Sequence, residues 1–509
     1  MVMQQAASIG QAEPSGERAW VPLFWWGVPL ALGSAAAFQV AFLVAPLCGL
    51  VVVSLGCLFA LRRVATPRQA FYLGLLAGFG VYAPQMGFLW RIFHIAAIPL
   101  WIILSSFHGL FVLLLRGVDI RWGPRWALAL APALWCGIEY FRSEVWWLRF
   151  SWFSAGTCLP VEARGVLRIF GVYGAGALAM ALGAIGCRWL EQGRPSLSRR
   201  ELAGVLGTAV VLGASGIWPY VDGRREEDGG RAVQVAGVQM EFPGVPEVRM
   251  ALKKLRRDHP DAELIQLSEY TFDGPVPEPV KDWCRQERVW LLAGGRELLP
   301  AVEGSAPPGE RFRNTAFVIG PDGTVAFSQA KSRPIQFFRD GEPARERRVW
   351  DSPWGRLGIA ICYDASYRRV LDDLVRQGAQ ALLVPTMDVE HWGEYQHRLN
   401  ARMARLRSAE YGLPVFRVAS SGISQLMDAG GRELATAPCP GPGAEIAGTL
   451  RLASARSWLP LDHWLAPACA WGLLGVIGAL GFPGTWLRRG FRRRPRTLIP
   501  GTGLDRTLS

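Results

Sequence analysis

Charge is scarce in this chain. Only 19% of its residues are Asp, Glu, Lys or Arg, and from Val21 to Leu61, a run of 41 residues, there is none. A bilayer-spanning helix takes about 20 apolar residues, and a buried soluble helix rarely runs past ~25 without capping signals. The run therefore predicts two spans back to back and excludes an ordinary soluble enzyme. Histidine is scarce too, six in all. His391 and His397 have no G-x-S-x-G partner, which leaves a Ser-His-Asp hydrolase poorly supported. None of the nine cysteines forms C-x-x-C. Six of them (Cys48, Cys57, Cys136, Cys158, Cys187 and Cys469) lie in or beside apolar runs, where cysteine serves as a small apolar residue. No structural zinc and no other metal is expected. The N-terminus carries Glu13 and Glu17 where a cleaved leader would be basic, so a cleaved leader is not expected.

Half of the residues are hydrophobic and 22 are Trp. Apolar segments at 21–39, 42–61, 70–90, 96–115, 126–141, 166–187, 202–219 and 465–487 predict eight membrane helices. The net charge of +13 does not point to nucleic acid, because the arginines cluster beside these segments. In the short segments between the spans and at the two ends, 17 arginines fall on the side of both termini and five on the other, with no lysine on either. By the positive-inside rule both termini are cytoplasmic and the long insert is outside. The expected organisation is a cytoplasmic N-terminal tail (1–20), a membrane domain of about seven helices (21–219), a periplasmic domain (224–456), a last span (465–487) and a basic cytoplasmic tail (488–509). The run from Glu139 to Arg149 mixes charges with aromatics. It reads either as an aromatic belt with snorkelling arginines or as a surface that holds lipid headgroups.

The insert has another character. Strand-length apolar runs (Ala232–Met240, Glu263–Leu267, Val289–Gly295, Thr315–Ile319, Leu357–Cys362, Ala381–Pro385 and Val415–Ala419) alternate with amphipathic stretches such as Arg368–Gln377 and Tyr395–Glu410. Pro321-Asp-Gly323 and Ala429-Gly-Gly431 are turn signals, and the segments Pro219–Gly230 and Pro440–Gly448 read as joints. An α/β layered domain is expected.

Three residues stand out in it. Glu269 follows the apolar strand ending at Leu267. Lys331 follows a hairpin. Cys362 ends a strand just before a helix, where a nucleophile is held exposed near backbone N–H groups. Glutamate, lysine and thiol form a working set of base, cation and nucleophile, although a cysteine or glutamate at a strand end, taken alone, is most often a core filler or a solvated charge. Cys284 and Cys439 would share an oxidising compartment. Two free thiols are expected there, but spacing does not settle whether they pair.

Ser268-Glu269, Lys331 and Cys362-Tyr363-Asp364 together resemble the carbon–nitrogen hydrolase (nitrilase) superfamily and its Glu-Lys-Cys triad. Gly78-Phe-Gly80, Gly87-Phe-Leu-Trp90, Glu139-Tyr-Phe-Arg142, Phe150-Ser-Trp152, Gly156, Gly171-Val-Tyr-Gly174, Tyr395-Gln-His397, Ala404-Arg-Leu-Arg407, Glu410 and Ser421-Gly-Ile-Ser424 are similar to one branch, the apolipoprotein N-acyltransferases. The resemblance runs from about residue 20 to 487. It implies a multi-pass helical domain plus an αββα sandwich, and a thioester route from a membrane phospholipid to the N-terminal amine of a diacylglyceryl-cysteine lipoprotein. It also implies catalytic Glu269, Lys331 and Cys362, oxyanion or supporting roles for Tyr363, Glu342 and Asp364, and lid or substrate roles for Trp392, Phe337 and Phe338. No cofactor is implied. The chain departs from the family pattern where Glu342 lies eleven residues beyond Lys331 rather than eight, where Asp364 replaces Glu, and at Met387-Asp-Val-Glu-His-Trp-Gly393. These departures keep a membrane-anchored amidase acting on a small amide as the alternative.

Overall fold

A computed structural model describes residues 24–192, 230–300, 311–454 and 457–481. The expected span at 202–219, both terminal tails and most of the joint at 219–230 lie outside the described residues. The N-terminal half is helical: α1 (Phe24–Leu43), α2 (Leu50–Ala60), α3 (Pro67–Gln85), α4 (Phe88–Phe93), α5 (Ala97–Trp122), α6 (Pro124–Tyr140) and α7 (Arg164–Glu191). The second half holds α8 (Val245–Asp258), α9 (Glu278–Glu287), α10 (Arg368–Arg376), α11 (Glu394–Tyr411) and α12 (Asp462–Leu480).

Each of the seven described spans expected from hydropathy coincides with a helix, but among the described residues only four stretches are long and apolar enough to cross a membrane. These are Trp26–Leu43, Phe88–Trp122, Val161–Glu191 and Asp462–Leu480. The others fall short for physical reasons. The 11 residues of α2 rise only ~16 Å at 1.5 Å each, about half of a hydrocarbon core. The other two helices have their apolar stretches shortened by polar side chains at their ends, α3 by Arg68, Gln69 and Gln85, and α6 by Arg125 and Glu139.

The run from Glu139 to Arg149 does not behave as a snorkelling belt. Glu139, Arg142 and Glu144 are buried and hydrogen-bonded inside. Glu139 Oε1 accepts from the Ala155 N–H at 2.7 Å. Arg142 donates to the Tyr82 hydroxyl and to Ser154 Oγ. Glu144 Oε1 accepts from the Tyr173 hydroxyl at 3.1 Å and from the Arg368 N–H at 2.9 Å. Only Trp147 keeps the interfacial character, with 64% of its surface exposed.

Two six-stranded mixed sheets build the second half, with neighbour orders β12-β1-β2-β3-β4-β5 and β11-β10-β9-β8-β7-β6. In chain order the strands are β1 (Ala232–Val238), β2 (Leu264–Gln266), β3 (Trp290–Leu298), β4 (Phe312–Ile319), β5 (Val325–Ala330), β6 (Val349–Ser352), β7 (Gly355–Ile359), β8 (Ala381–Thr386), β9 (Val415–Ala419), β10 (Ser424–Met427), β11 (Glu433–Ala437) and β12 (Glu445–Arg451). Period-two alternation sorts the side chains. Val233, Val235, Ala316 and Val318 face the sheet-to-sheet core, whereas Ala236, Val238, Phe317 and Ile319 pack in a second core with α8 and α9. Residues of α10 and α11 cover the other sheet. The result is the expected αββα sandwich. The segment Pro440–Gly448 is not a joint: β12 begins at Glu445 and pairs antiparallel with β1.

The halves are tied by buried charge. α7 breaks at Gly171, where φ is +70°, and the break frees two N–H groups. Val172 N–H donates to Glu410 Oε1 of α11 at 2.8 Å, and Tyr173 N–H donates to Asp462 Oδ2 of α12 at 3.0 Å. Glycine is required there, since a Cβ would sit 2.1 Å from the Asp462 carboxylate. Arg368 pairs with Asp462 at 3.0 Å and with Asp372 at 3.1 Å, so α10 and α12 share one ionic lock.

Candidate active site

Glu269 lies three residues past β2, where Gly294 of β3 lets the backbones meet. A Cβ on Gly294 would come within 2.6 Å of the Glu269 Cα. Lys331 directly follows β5, its N–H donating to the Asn314 carbonyl at 2.7 Å. Both side chains are about 1% exposed, and Lys331 Nζ donates to Glu269 Oε1 at 2.8 Å. Asn314 Nδ2 donates to the same oxygen at 2.5 Å.

Cys362 comes from the other sheet, at the start of a short 3-10 turn, with φ +50°. That left-handed conformation costs a non-glycine residue roughly 1–2 kcal/mol and holds Sγ up at the turn. The loop after β8 links the two sheets. Met387 N–H donates to Glu269 Oε2 at 2.9 Å, and the Cys362 thiol donates to the Met387 carbonyl at 3.7 Å. This loop is itself fixed by buried Asp388, which accepts from Arg417 at 2.5 Å and Asn400 at 2.8 Å.

The supporting positions sort differently from the expectation. Glu342 is not brought to Lys331. It sits at the surface in an ion pair with Arg311 at 2.7 Å, which holds its carboxyl below the usual range. Asp340 takes the place expected for Glu342, with its Oδ2 2.7 Å from Lys331 Nζ. It also accepts from Asn314, the Tyr270 hydroxyl and the Ile335 N–H. The loop turns back at Gly341, φ +78°, and Glu342 N–H bonds to Phe312 O on its far side. Spacing carried a signal for Asp340: it lies nine residues beyond Lys331, nearer to the family's eight than Glu342 at eleven.

Asp364 accepts the N–H groups of Ser332 and Arg333 at 2.9 and 2.7 Å, so the nucleophile turn pins the lysine turn. Tyr363 lines a cleft with Cys362. Trp392, Phe337 and Phe338 stand at the same cleft, Phe338 against Trp392 at 5.7 Å and against Phe93 at 5.8 Å between ring centroids. Cys284 is buried in α9, and Cys439 Sγ lies 2.7 Å from His397 Nδ1, the two cysteines being free.

Burial governs the ionisation. It raises Glu269 above the ordinary carboxylate range despite the opposing Lys331 charge. It pushes Asp364 up to about 6. For Lys331 burial disfavours the charge, but Asp340 and Glu269 outweigh it and hold the ammonium well above its usual value. Burial, then Glu269, push the Cys362 thiol far up. At neutral pH the Cys362 side chain is therefore a thiol.

The cleft is almost wholly apolar. Its other walls are Phe88, Leu89, Ile92 and Phe93 of α4 and Leu100, Ile103 and Leu104 of α5, so it runs from a stretch able to span a membrane to Cys362.

Residues 232–458, which build the αββα sandwich and contain Glu269, Lys331 and Cys362, match the carbon–nitrogen hydrolase family model. Residues 31–185 match the apolipoprotein N-acyltransferase N-terminal domain. The chain thus belongs to the apolipoprotein N-acyltransferase family of the carbon–nitrogen hydrolase superfamily. It is 25% identical to the apolipoprotein N-acyltransferase of Methylococcus capsulatus, over 86% of this chain and 92% of that one. Similarity to the Shewanella oneidensis apolipoprotein N-acyltransferase is also 25%, covering 77% and 83%. The deaminated glutathione amidase of Dictyostelium discoideum is 28% identical over 32% of this chain and 62% of its own.

Proposed function

We propose that the protein moves an acyl chain from a membrane phospholipid, through a thioester on Cys362, to the N-terminal amine of a diacylglyceryl-cysteine lipoprotein. The observation that carries this is the apolar cleft from α4 and α5 to Cys362. A small amide gains nothing from such walls, whereas an acyl chain gains about 0.8 kcal/mol per buried CH₂.

Glu269 takes the thiol proton as Sγ attacks the ester carbonyl. The C–O bond breaks, and the lysophospholipid alkoxide leaves with that proton. Lys331 and the Tyr363 N–H stabilise the oxyanion in each half-reaction. The lipoprotein amine then attacks the thioester, gives its proton to Glu269, and expels the thiolate, which recovers the proton. Asp364 and Asp340 position the lysine, and Trp392, Phe337 and Phe338 close over the chain, limiting hydrolysis of the thioester. The arginine asymmetry supports an inner-membrane protein with residues 224–456 in the periplasm and helices at 21–219 and 465–487 as the membrane part.

The test is purified protein with acyl-labelled phospholipid and a diacylated lipopeptide. Label appearing on the lipopeptide N-terminus is the expected result. Release of free fatty acid at the same rate with or without lipopeptide, or turnover of small amides alone, would favour the amidase.

The two acids near Lys331 give a sharper contrast. Asp340→Asn removes one charged contact to the ammonium and is expected to slow acyl-enzyme formation by about 10–100-fold. Glu342→Gln should leave the rate unchanged. Single-turnover kinetics of both variants checks this, and the reverse order would return the supporting role to Glu342.

A further inference from the structure

The Glu139–Arg149 run leaves one arginine unaccounted for. Arg149 is half-buried and lines the cleft beside Cys362 and Tyr363. A second guanidinium, Arg333, lies within the field of Arg149. Arg333 lies over the Tyr367 ring at 5.8 Å, Tyr367 packs on Tyr363 at 4.8 Å, and the Tyr367 hydroxyl donates to the Arg149 carbonyl at 3.1 Å. The Arg333 backbone is fixed by its N–H bond to Asp364.

Among the described residues neither guanidinium has an ion-pair partner, and the buried Nε of Arg333 has no hydrogen-bond acceptor. The nearby carboxylates are occupied. Glu144 accepts from Tyr173 and Arg368, and Asp364 from two backbone N–H groups. Burial, then the Arg149 charge, depress Arg333; Glu144 opposes this, and Arg347 and Arg369 add to the depression. Two half-buried cations that act on one another destabilise each other unless an anion sits between them. Guanidinium forks match the oxygens of a phosphate.

We propose that Arg149 and Arg333 bind the phosphate of the acyl donor at the mouth of the cleft, placing its ester over Cys362. This rests on the phospholipid-donor reading above. The same contact would hold the negatively charged lysophospholipid as it departs, while the cationic amine of the acceptor is not drawn to it. The pair thus separates the donor from the acceptor by charge.

The experiment uses the full chain in nanodiscs. Acyl-Cys362 formation is followed by intact mass with two donors of identical acyl chains, phosphatidylglycerol and uncharged diacylglycerol. Wild type is expected to favour the phosphate donor by roughly 10–100-fold, and Arg149→Gln/Arg333→Gln to bring the ratio to within about twofold of unity. Arg149→Lys, which keeps the charge, should retain part of the preference. If the double variant does not fold, Arg149→Gln alone is read by the same ratio. Glycerol 3-phosphate should slow wild type and not the variant. Equal slowing by inorganic phosphate would assign the pair to free phosphate and overturn the headgroup role. A ratio near unity in wild type, or one unaltered in the variants, overturns the proposal. Wild type that forms no acyl-enzyme with either donor overturns the phospholipid reading itself, a distinct result.

Discussion

Cys362→Ala is expected to leave no acyl adduct after exposure to phospholipid, and no transfer to lipopeptide. The wild-type protein incubated without acceptor should gain one acyl mass that hydroxylamine removes. Removing Sγ takes away the only atom that forms the new bond, so the loss is to background rather than a partial slowing; single nucleophile removals elsewhere cost on the order of 10⁶ in kcat. The substitution is otherwise mild. Alanine keeps the volume near that of cysteine, loses only the weak bond to Met387 O, and accepts the same positive φ no worse. The thermal midpoint should therefore stay within a few degrees of wild type. Cys158, Cys284 and Cys439 serve as controls, because each lies away from the Glu269–Lys331 pair. An adduct that survives Cys362→Ala would end the assignment.

Lys331→Met should be nearly as damaging, and for two separable reasons. In the reaction it removes the cation facing the oxyanion, a loss of about 10²–10³ in rate. In the resting protein it leaves Glu269 and Asp340 buried together without their shared ammonium, and stripping one partner from a buried ion pair typically costs about 3–5 kcal/mol. The pH dependence separates the two. Burial already raises Glu269, and without Lys331 it must rise further. A carboxyl raised in the folded state stabilises the fold fully below its unfolded pKa, and that contribution is lost as pH rises through the folded value. The variant's thermal midpoint should thus fall from acid to neutral pH more steeply than that of wild type, as calorimetry across that range would record. Parallel curves would mean that the lysine is not the counter-charge the geometry describes.

The residues at strand ends were legible because apolar runs stop there. Glu269, Lys331 and Cys362 each follow a run whose inward side chains are fixed by alternation, so their positions come with the strands. Asp340 was overlooked because matching residue type pointed to Glu342, although Asp340 is nearer in spacing; it sits in a loop whose course depends on a left-handed glycine at 341. The Glu139–Arg149 run misled in another way. Charges beside aromatics signal an interface when their partners are lipids and water, but here the partners are Tyr173, Ala155, Ser154 and the N–H of Arg368. Two of these lie far along the chain, where no local pattern records them. Strands β6, β10 and β11 escaped because polar residues (Asp351, Gln425 and Glu433 among them) break their apolar runs, and β12 was hidden in a stretch whose glycines and prolines read as a joint.

The break in α7 has a bearing on how the protein is made. Residues 164–191 leave the ribosome well before Glu410 and Asp462 exist, so for most of synthesis the N–H groups of Val172 and Tyr173 lack the carboxylates that later hold them. The bent course of α7 is thus completed only by residues made much later. The helix α12 is in this sense a latch: its first residue, Asp462, holds both Arg368 and a peptide group laid down almost three hundred residues earlier.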